Sequence, residues 1–177
     1  PVSALKGLDT YQRVIYSGTF SKSLSNYIRL SYLVVPQPLI TTLRQAAKHF
    51  LMEVPFVLQA TVADYINEGH FHRHIRRMRS IYFQKQQQMT QAIDREFQGI
   101  GRRRGGESGL HLVIELDPGV DDREICYRAS QQGIGCLPLS DFCLSSTKRG
   151  LLLGFGYGKS EIHTIAIKQL AQLASHV

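Results

Sequence analysis

Between Ser17 and Arg29 the sequence sets a single primary amine among hydroxyls: Ser17-Gly18-Thr19-Phe20-Ser21-Lys22, then Ser23 and Ser25, with Arg29 seven residues after the lysine. A lysine at the end of a buried strand is partly desolvated, which disfavours its ammonium form and leaves a neutral amine able to attack an aldehyde. Thr19 and Ser21 precede it by three residues and one residue, and their hydroxyls could donate to a phosphate. Arg29 could return to the same anion with a planar fork. Together these groups describe a cradle for an aldehyde that carries a phosphate. By residue type alone the other reading stays open, that Lys22 is a solvated turn residue, as lysines flanked by serines usually are.

For these side chains to converge, the chain must run strand, loop, strand. Arg13 to Phe20 is rich in β-branched and aromatic residues and reads as a short buried strand, and Ile28 to Val35 reads as a second one that leaves its ladder at Pro36. From Pro38 the period changes: Leu39, Leu43, Ala46, Ala47 and Phe50 predict an amphipathic helix broken near Pro55 and continued over Val57 to Ile66. Gly69 interrupts it. His70 to Phe97 then predicts a long helix bridging two parts of the molecule. The glycines and arginines of Gly99 to Gly109 read as its end, with Arg102 to Arg104 as a basic turn. Beyond them the pattern is β-α-β-β-α: a strand over Leu110 to Leu116 and a helix over Arg123 to Gln132, capped by Asp121 or Asp122 and closed by Gly133. Strands at Ile134 to Pro138 and Gly150 to Phe155 follow, then a terminal helix capped by Ser160 with Ile162, Ile165, Ala166, Leu170 and Leu173 on its apolar side. The fold class is therefore α/β.

Over 177 residues, 43% apolar and 20% charged residues are the composition of an ordinary globular chain. No uncharged apolar run is long enough to span a membrane, since the best candidate, Leu51 to Ala63, contains Glu53 and Pro55. No secretory signal is present, and a cytoplasmic location is expected. Three cysteines, Cys126, Cys136 and Cys143, include no C-x-x-C pair, so neither a disulfide framework nor a zinc knuckle is expected, and Cys126 reads as buried packing. The net charge of +7 speaks to association with anions and not to fold.

The run Y-S-G-T-F-S-K-S-L-S-N-Y-I-R-L-S-Y-L-V-V-P resembles the lysine segment of fold-type I pyridoxal-phosphate enzymes, the aspartate aminotransferase superfamily. It is most similar to the aminotransferase-like domain of the MocR-type regulators of the GntR family. Gly69 to Tyr82, G-H-F-H-R-H-I-R-R-M-R-S-I-Y, is similar to the start of their bridging helix, and Gly150 to Gly156, G-L-L-L-G-F-G, to the strand before their terminal helix. The three matches occur in the family's order and cover almost the whole chain.

The resemblance implies residues 1–69 as the end of the large cofactor-binding domain and 70–177 as the bridging helix with the small α/β domain. It implies pyridoxal 5'-phosphate as cofactor, Lys22 as the residue of the internal aldimine, and Thr19, Ser21 and Arg29 as holders of the phosphate. It also implies a homodimer, and DNA contact through an N-terminal winged-helix domain absent from this chain. The carboxylate partner of the pyridine nitrogen and the stacking ring precede the lysine in this superfamily by more residues than stand before Lys22, so the chain is expected to be the C-terminal portion of a longer protein. Two departures bear on function. Asn26, Tyr27 and Ser31 replace the family's Pro, small residue and Gly near Arg29. Leu152 stands where aminotransferases carry the arginine that binds the substrate carboxylate, and leucine has no donor to offer. The expected function is an effector domain of a bacterial transcriptional regulator that senses the cofactor or a small amine through Lys22. The alternatives are an aminotransferase acting on an amino acid, and a cofactor-free folding or dimerisation fragment.

Other features read plainly. His70, His72 and His74 lack a carboxylate or cysteine that would complete a metal set, and Arg73, Arg76, Arg77 and Arg79 read as a solvated helix face.

Overall fold

The computed structural model describes residues 3–50, 54–117, 119–144 and 148–176. They fall into two compact units, Pro1–Arg76 and Arg77–Val177.

In the first unit, β1 (Tyr16–Thr19) and β2 (Ser31–Val34) form an antiparallel pair, with Tyr16 opposite Val34 and Thr19 opposite Ser31. Ahead of β1 the Asp9 carboxylate accepts the backbone N–H groups of Tyr11, Arg13 and Val14 and pairs with Lys6. The Arg13 and Val14 N–H donors hold its carboxyl well below the usual carboxylate range. The strands are shorter than the sequence pattern predicts, and they are not buried: Leu33 is 55% exposed and Val34 44%. A two-stranded ribbon buries a face only against another layer. The helix expected from Pro38 to Ile66 is α1 (Ile40–His49), entered through a 3-10 turn at Gln37–Leu39, and α2 (Phe56–Asn67), which starts directly after Pro55. Of the apolar run Leu51 to Ala63, residues 51–53 lie outside the described residues. Gly69, at φ 78°, supplies the left-handed residue that separates α2 from α3 (His70–Glu96). The boundary between the units falls inside α3. No helix among the described residues is long and apolar enough to cross a membrane.

The second unit has a core. Its sheet has the order β3-β4-β6-β5, all antiparallel: β3 (Gly101–Arg104), β4 (His111–Leu116), β6 (Arg149–Gly154) and β5 (Leu137–Pro138). Leu112, Ile114 and Leu116 alternate along β4 and, with Leu151 and Leu153, are buried. They pack with Met89, Ile93 and Phe97 at the end of α3, Ile125 and Ala129 of α4 (Asp122–Gln131), and Ile167 and Leu170 of α5 (Ser160–Ala174). The opposite face carries the cross-strand row Arg104, Val113, Leu152, Leu137.

Three expectations are corrected here. Arg102 to Arg104 is the edge strand β3, not a turn. Ion pairs support it on two sides, because Arg104 Nε donates across the ladder to Glu115 of β4 at 2.7 Å and Arg103 Nε donates to Asp94 of α3 at 3.2 Å. Ser160 is the first residue of α5; Lys159 holds the cap position and no side chain caps the helix. The buried stripe of α5 is Ile167, Leu170, Ala171 and Ala174, while Ile162 and Ile165 are exposed, because the sheet meets the helix on a face rotated from the one the sequence pattern favours. The α4 ends form as expected. Asp121 accepts from the N–H groups of Arg123 and Glu124, and Gly133 at φ 76° closes the helix with bonds Gly133 N–H to Ser130 O and Ile134 N–H to Ala129 O, both 3.0 Å.

Candidate functional site

The turn between β1 and β2 is built by a ladder that runs one bond past the strands. Phe20 N–H donates to Leu30 O at 3.0 Å, so Ser21 and Arg29 flank the mouth of the loop that Lys22 begins. Inside it, Leu24 N–H bonds back to Phe20 O at 2.8 Å, and Tyr27 N–H donates to Ser25 Oγ at 3.3 Å. Gly18 is required by a close approach: it pairs with Tyr32, whose ring lies where a Cβ on Gly18 would stand. The neighbouring Tyr16 hydroxyl, by hydrogen bonding, pushes the Tyr32 phenol above its ordinary value.

Thr19 Oγ1 accepts Ser21 N–H at 3.2 Å and donates to Leu30 O at 3.4 Å. The second bond is at the long limit and is readily exchanged for a better acceptor. Arg29 occupies the left-handed region, φ 49°. For a residue with a Cβ that conformation costs about 1–2 kcal/mol, and strain of this kind gathers at ligand clamps. Neither Lys22 nor Arg29 enters an ion pair among the described residues. The sequence from Thr10 to Met52 contains no Asp or Glu and five Lys or Arg residues, a signal of anion affinity that residue spacing alone does not reveal. One expectation fails. Lys22 is exposed and β1 is not a buried strand, so the described residues do not desolvate the amine.

Sequence reasoning also missed His74. Its Nε2 lies 2.9 Å from the carbonyl of Ser23, so it donates there and ties the first turns of α3 to the lysine turn. His70 pairs instead with Glu68 at 3.1 Å and stacks on Tyr65. His72 lines a cavity of about 460 Å³ together with Thr19, Phe20, Ser23, Tyr32, Ile66 and Phe71. Among the described residues no three metal-ligating side chains gather. That cavity is walled mainly by aromatic and aliphatic groups and excludes Lys22 and Arg29, so it is an apolar recess rather than the anion cradle.

The donor set at the mouth of the turn is an amine, the Thr19 and Ser21 hydroxyls and a guanidinium, with no carboxylate among them. It fits an aldehyde anchored by a phosphate: the amine can bond the carbonyl carbon while hydroxyl and guanidinium donors satisfy the anion. In the second unit, Leu152 sits in an apolar row between Val113 and Leu137. The cation of that row, Arg104, is two strands away, about 10 Å, and is engaged with Glu115, whose carboxyl it holds below its ordinary value.

Residues 1–150 match the family described as Aminotransferase class I and II. The chain is 34% identical over 172 residues to the HTH-type transcriptional regulator YdeL of Bacillus subtilis (strain 168), a match over 96% of this chain and 37% of that relative. It is 35% identical over 157 residues to a Rhizobium meliloti protein named as the probable rhizopine catabolism regulatory protein MocR, over 88% of this chain and 32% of the relative. Among solved structures, LysN, the alpha-aminoadipate aminotransferase of Thermus thermophilus, complexed with N-(5'-phosphopyridoxyl)-L-leucine, superposes with a TM-score of 0.84 at 26% identity. That match covers 94% of this chain and 43% of LysN. The chain thus spans about a third of the length of the curated relatives it matches.

Proposed function

This chain belongs to the aminotransferase class I and II family and has the fold of its pyridoxal-phosphate-dependent, fold-type I members, and from that premise we propose that it is part of the effector domain of a MocR-type transcriptional regulator. Residues 1–69 are the end of the large cofactor-binding domain, and 70–177 are the bridging helix and small α/β domain. The observation that carries the reading is the β1–β2 turn, which gathers Lys22, Thr19, Ser21 and Arg29 in an acid-free stretch of chain. Identity of 34–35% to proteins named as regulators favours the regulator over the enzyme. The exposed faces of β1 and β2 and the greater length of the relatives support a larger domain that covers them.

When bound, pyridoxal phosphate supplies an electrophilic carbon for primary amines and a dianionic anchor. Lys22 would hold that carbon, and the Thr19 and Ser21 hydroxyls and the Arg29 guanidinium would donate hydrogen bonds to the phosphate. His74, through the Ser23 carbonyl, fixes the turn on which the lysine stands. DNA is contacted by a winged-helix domain outside these residues. The protein acts as a cytoplasmic homodimer, and the effector is the cofactor or a small amine. An effector alters DNA binding only through its different affinity for two conformations.

Operator binding by the full-length protein, with and without pyridoxal phosphate and a panel of amines, tests the reading. A change in DNA affinity of about 5–150-fold, the usual range of allosteric coupling, is expected. Unchanged affinity, together with amino-acid turnover at about 1–10³ per second, would mark an enzyme instead.

Arg29→Gly separates the functional reading of the strained backbone from a structural one. Glycine adopts φ 49° freely, so the turn should become no less stable, while cofactor retention falls by about 1.5–3 kcal/mol for the lost charged donor, or about 10–150-fold. Dialysis against buffer followed by absorbance of the retained cofactor measures the second quantity, and thermal melting the first. Leu152→Arg addresses the absent carboxylate donor. It should raise single-turnover conversion of bound amino acids more than it changes cofactor affinity, since a second anchor orients the reacting bond.

A further inference from the structure

We propose that Cys126 and Cys136 are a modification site, a thiol pair that hydrogen peroxide converts to an intrachain disulfide. The site shares no residue with the Lys22 turn and does not rest on the cofactor reading.

Cys126 lies on the buried side of α4, 8% exposed, and Cys136 stands half-buried just before β5. The helix closure explains why they meet. After α4 the left-handed Gly133 reverses the chain, Ile134 N–H bonds back to Ala129 O, and the following residues return along the helix they have left. The two sulfurs come within 3.1 Å. A disulfide bond is about 2.05 Å, so a side-chain shift of about 1 Å closes it. The third thiol, Cys143, is 3.4 Å from the Leu139 carbonyl. The absence of a C-x-x-C spacing in the sequence therefore does not keep two thiols apart in space.

The pair is chemically unsymmetrical. The hydrogen bond between the two sulfurs, with burial and the negative charge of Asp122 and Asp141 nearby, pushes the Cys126 thiol far above the ordinary thiol range. The same hydrogen bond lowers Cys136, which is also the more exposed of the two. Cys136 is accordingly the attacking thiolate. Its sulfur takes one peroxide oxygen as the O–O bond breaks, and the departing hydroxide leaves as water after gaining a proton, giving a sulfenic acid. The Cys126 sulfur, releasing its proton, then attacks that sulfenic sulfur and the S–O bond breaks, expelling a second water. Two thiols and one hydrogen peroxide give one disulfide and two waters; the cysteines lose two electrons and the peroxide gains them. The new bond fastens α4 to the start of β5, an edge strand otherwise held by two residue pairs, Leu137 with Leu152 and Pro138 with Leu151.

The test is hydrogen peroxide treatment of this 177-residue chain, with thiol titration in denaturant and mass mapping of non-reduced peptides. Of the three thiols one should remain, on Cys143, with Cys126 and Cys136 in one linked peptide that dithiothreitol separates. Cys143→Ser should leave the linkage intact. Cys126→Ala should leave Cys136 as a sulfenic acid that dimedone traps. Linkage through Cys143, linkage between chains, or independent oxidation of the thiols without a 126–136 peptide would overturn the proposal. The mapping on the unsubstituted chain decides the matter if a variant does not fold.

Discussion

Lys22→Ala is expected to abolish covalent retention of pyridoxal phosphate by the full-length protein. Borohydride reduction followed by digestion should place the label on the Lys22 peptide of the unsubstituted protein and leave the variant at background. Lys22 is the only lysine in the β1–β2 turn, and the hydroxyl and guanidinium donors flanking it can hold a phosphate but cannot bond a carbonyl carbon. The variant should therefore still bind the cofactor reversibly, through Thr19, Ser21 and Arg29. Equal labelling of the variant at another lysine would sink the assignment. The 177-residue chain alone should label Lys22 only in part, because its first unit buries only Leu30 and Val62 among the described hydrophobic residues and gives the ring no wall. Near-stoichiometric labelling of that chain at micromolar cofactor would show that these residues suffice for a complete pocket.

The position of that lysine was legible in the sequence because the signals were local. Thr19, Ser21 and Lys22 follow one another on a strand and its turn, and Pro36 stops the returning strand, so pairing β1 with β2 is enough to bring Arg29 opposite Ser21. The ends of α4 were legible for the same reason: Asp121 and Gly133 act on backbone groups within four residues of themselves. What the sequence hid depends on partners distant in the chain. The β-branched and aromatic content of Arg13 to Phe20 and Ile28 to Val35 implies burial, yet burial requires a covering layer that no local pattern supplies. Arg102 to Arg104 gains strand character only from β4, where Glu115 waits. His74 and Ser23 are 51 residues apart. Cys126 and Cys136 meet because a helix closure reverses the chain between them, and a spacing rule for thiols on one loop cannot register that. The conformation of Arg29 is hidden in another way, since residue type argues against φ 49° and only the geometry of the turn imposes it.

Asp122 carries the largest stability effect expected in the second unit. Its side chain is fully buried, and its two oxygens accept from Ser140 N–H at 2.9 Å, Ser140 Oγ at 2.8 Å and Gly150 N–H at 3.0 Å, with Arg149 3.9 Å away. One carboxylate at the start of α4 thus fastens both the 3-10 turn Leu139–Phe142 and Gly150, the second residue of β6, two residues before Leu152. Replacing it with alanine removes the shared acceptor of three donors, of which Gly150 N–H is buried and the two from Ser140 are half-buried, a loss of about 3–5 kcal/mol. Ser140→Ala removes the hydroxyl alone and should cost about 0.5–1.5 kcal/mol. Asp122→Asn should fall between them, since its amide keeps one acceptor oxygen but turns an N–H₂ toward donors. Hydrogen exchange at the Gly150 amide is the sensitive readout, because that N–H is bonded to the carboxylate itself and reports the second unit without averaging over the first. The expected order of exchange is Asp122→Ala fastest, then Asp122→Asn, then Ser140→Ala, with Leu151 and Leu153 following in the alanine variant as the start of β6 frays. If Gly150 exchanges no faster in Asp122→Ala than in Ser140→Ala, the carboxylate is not what anchors β6.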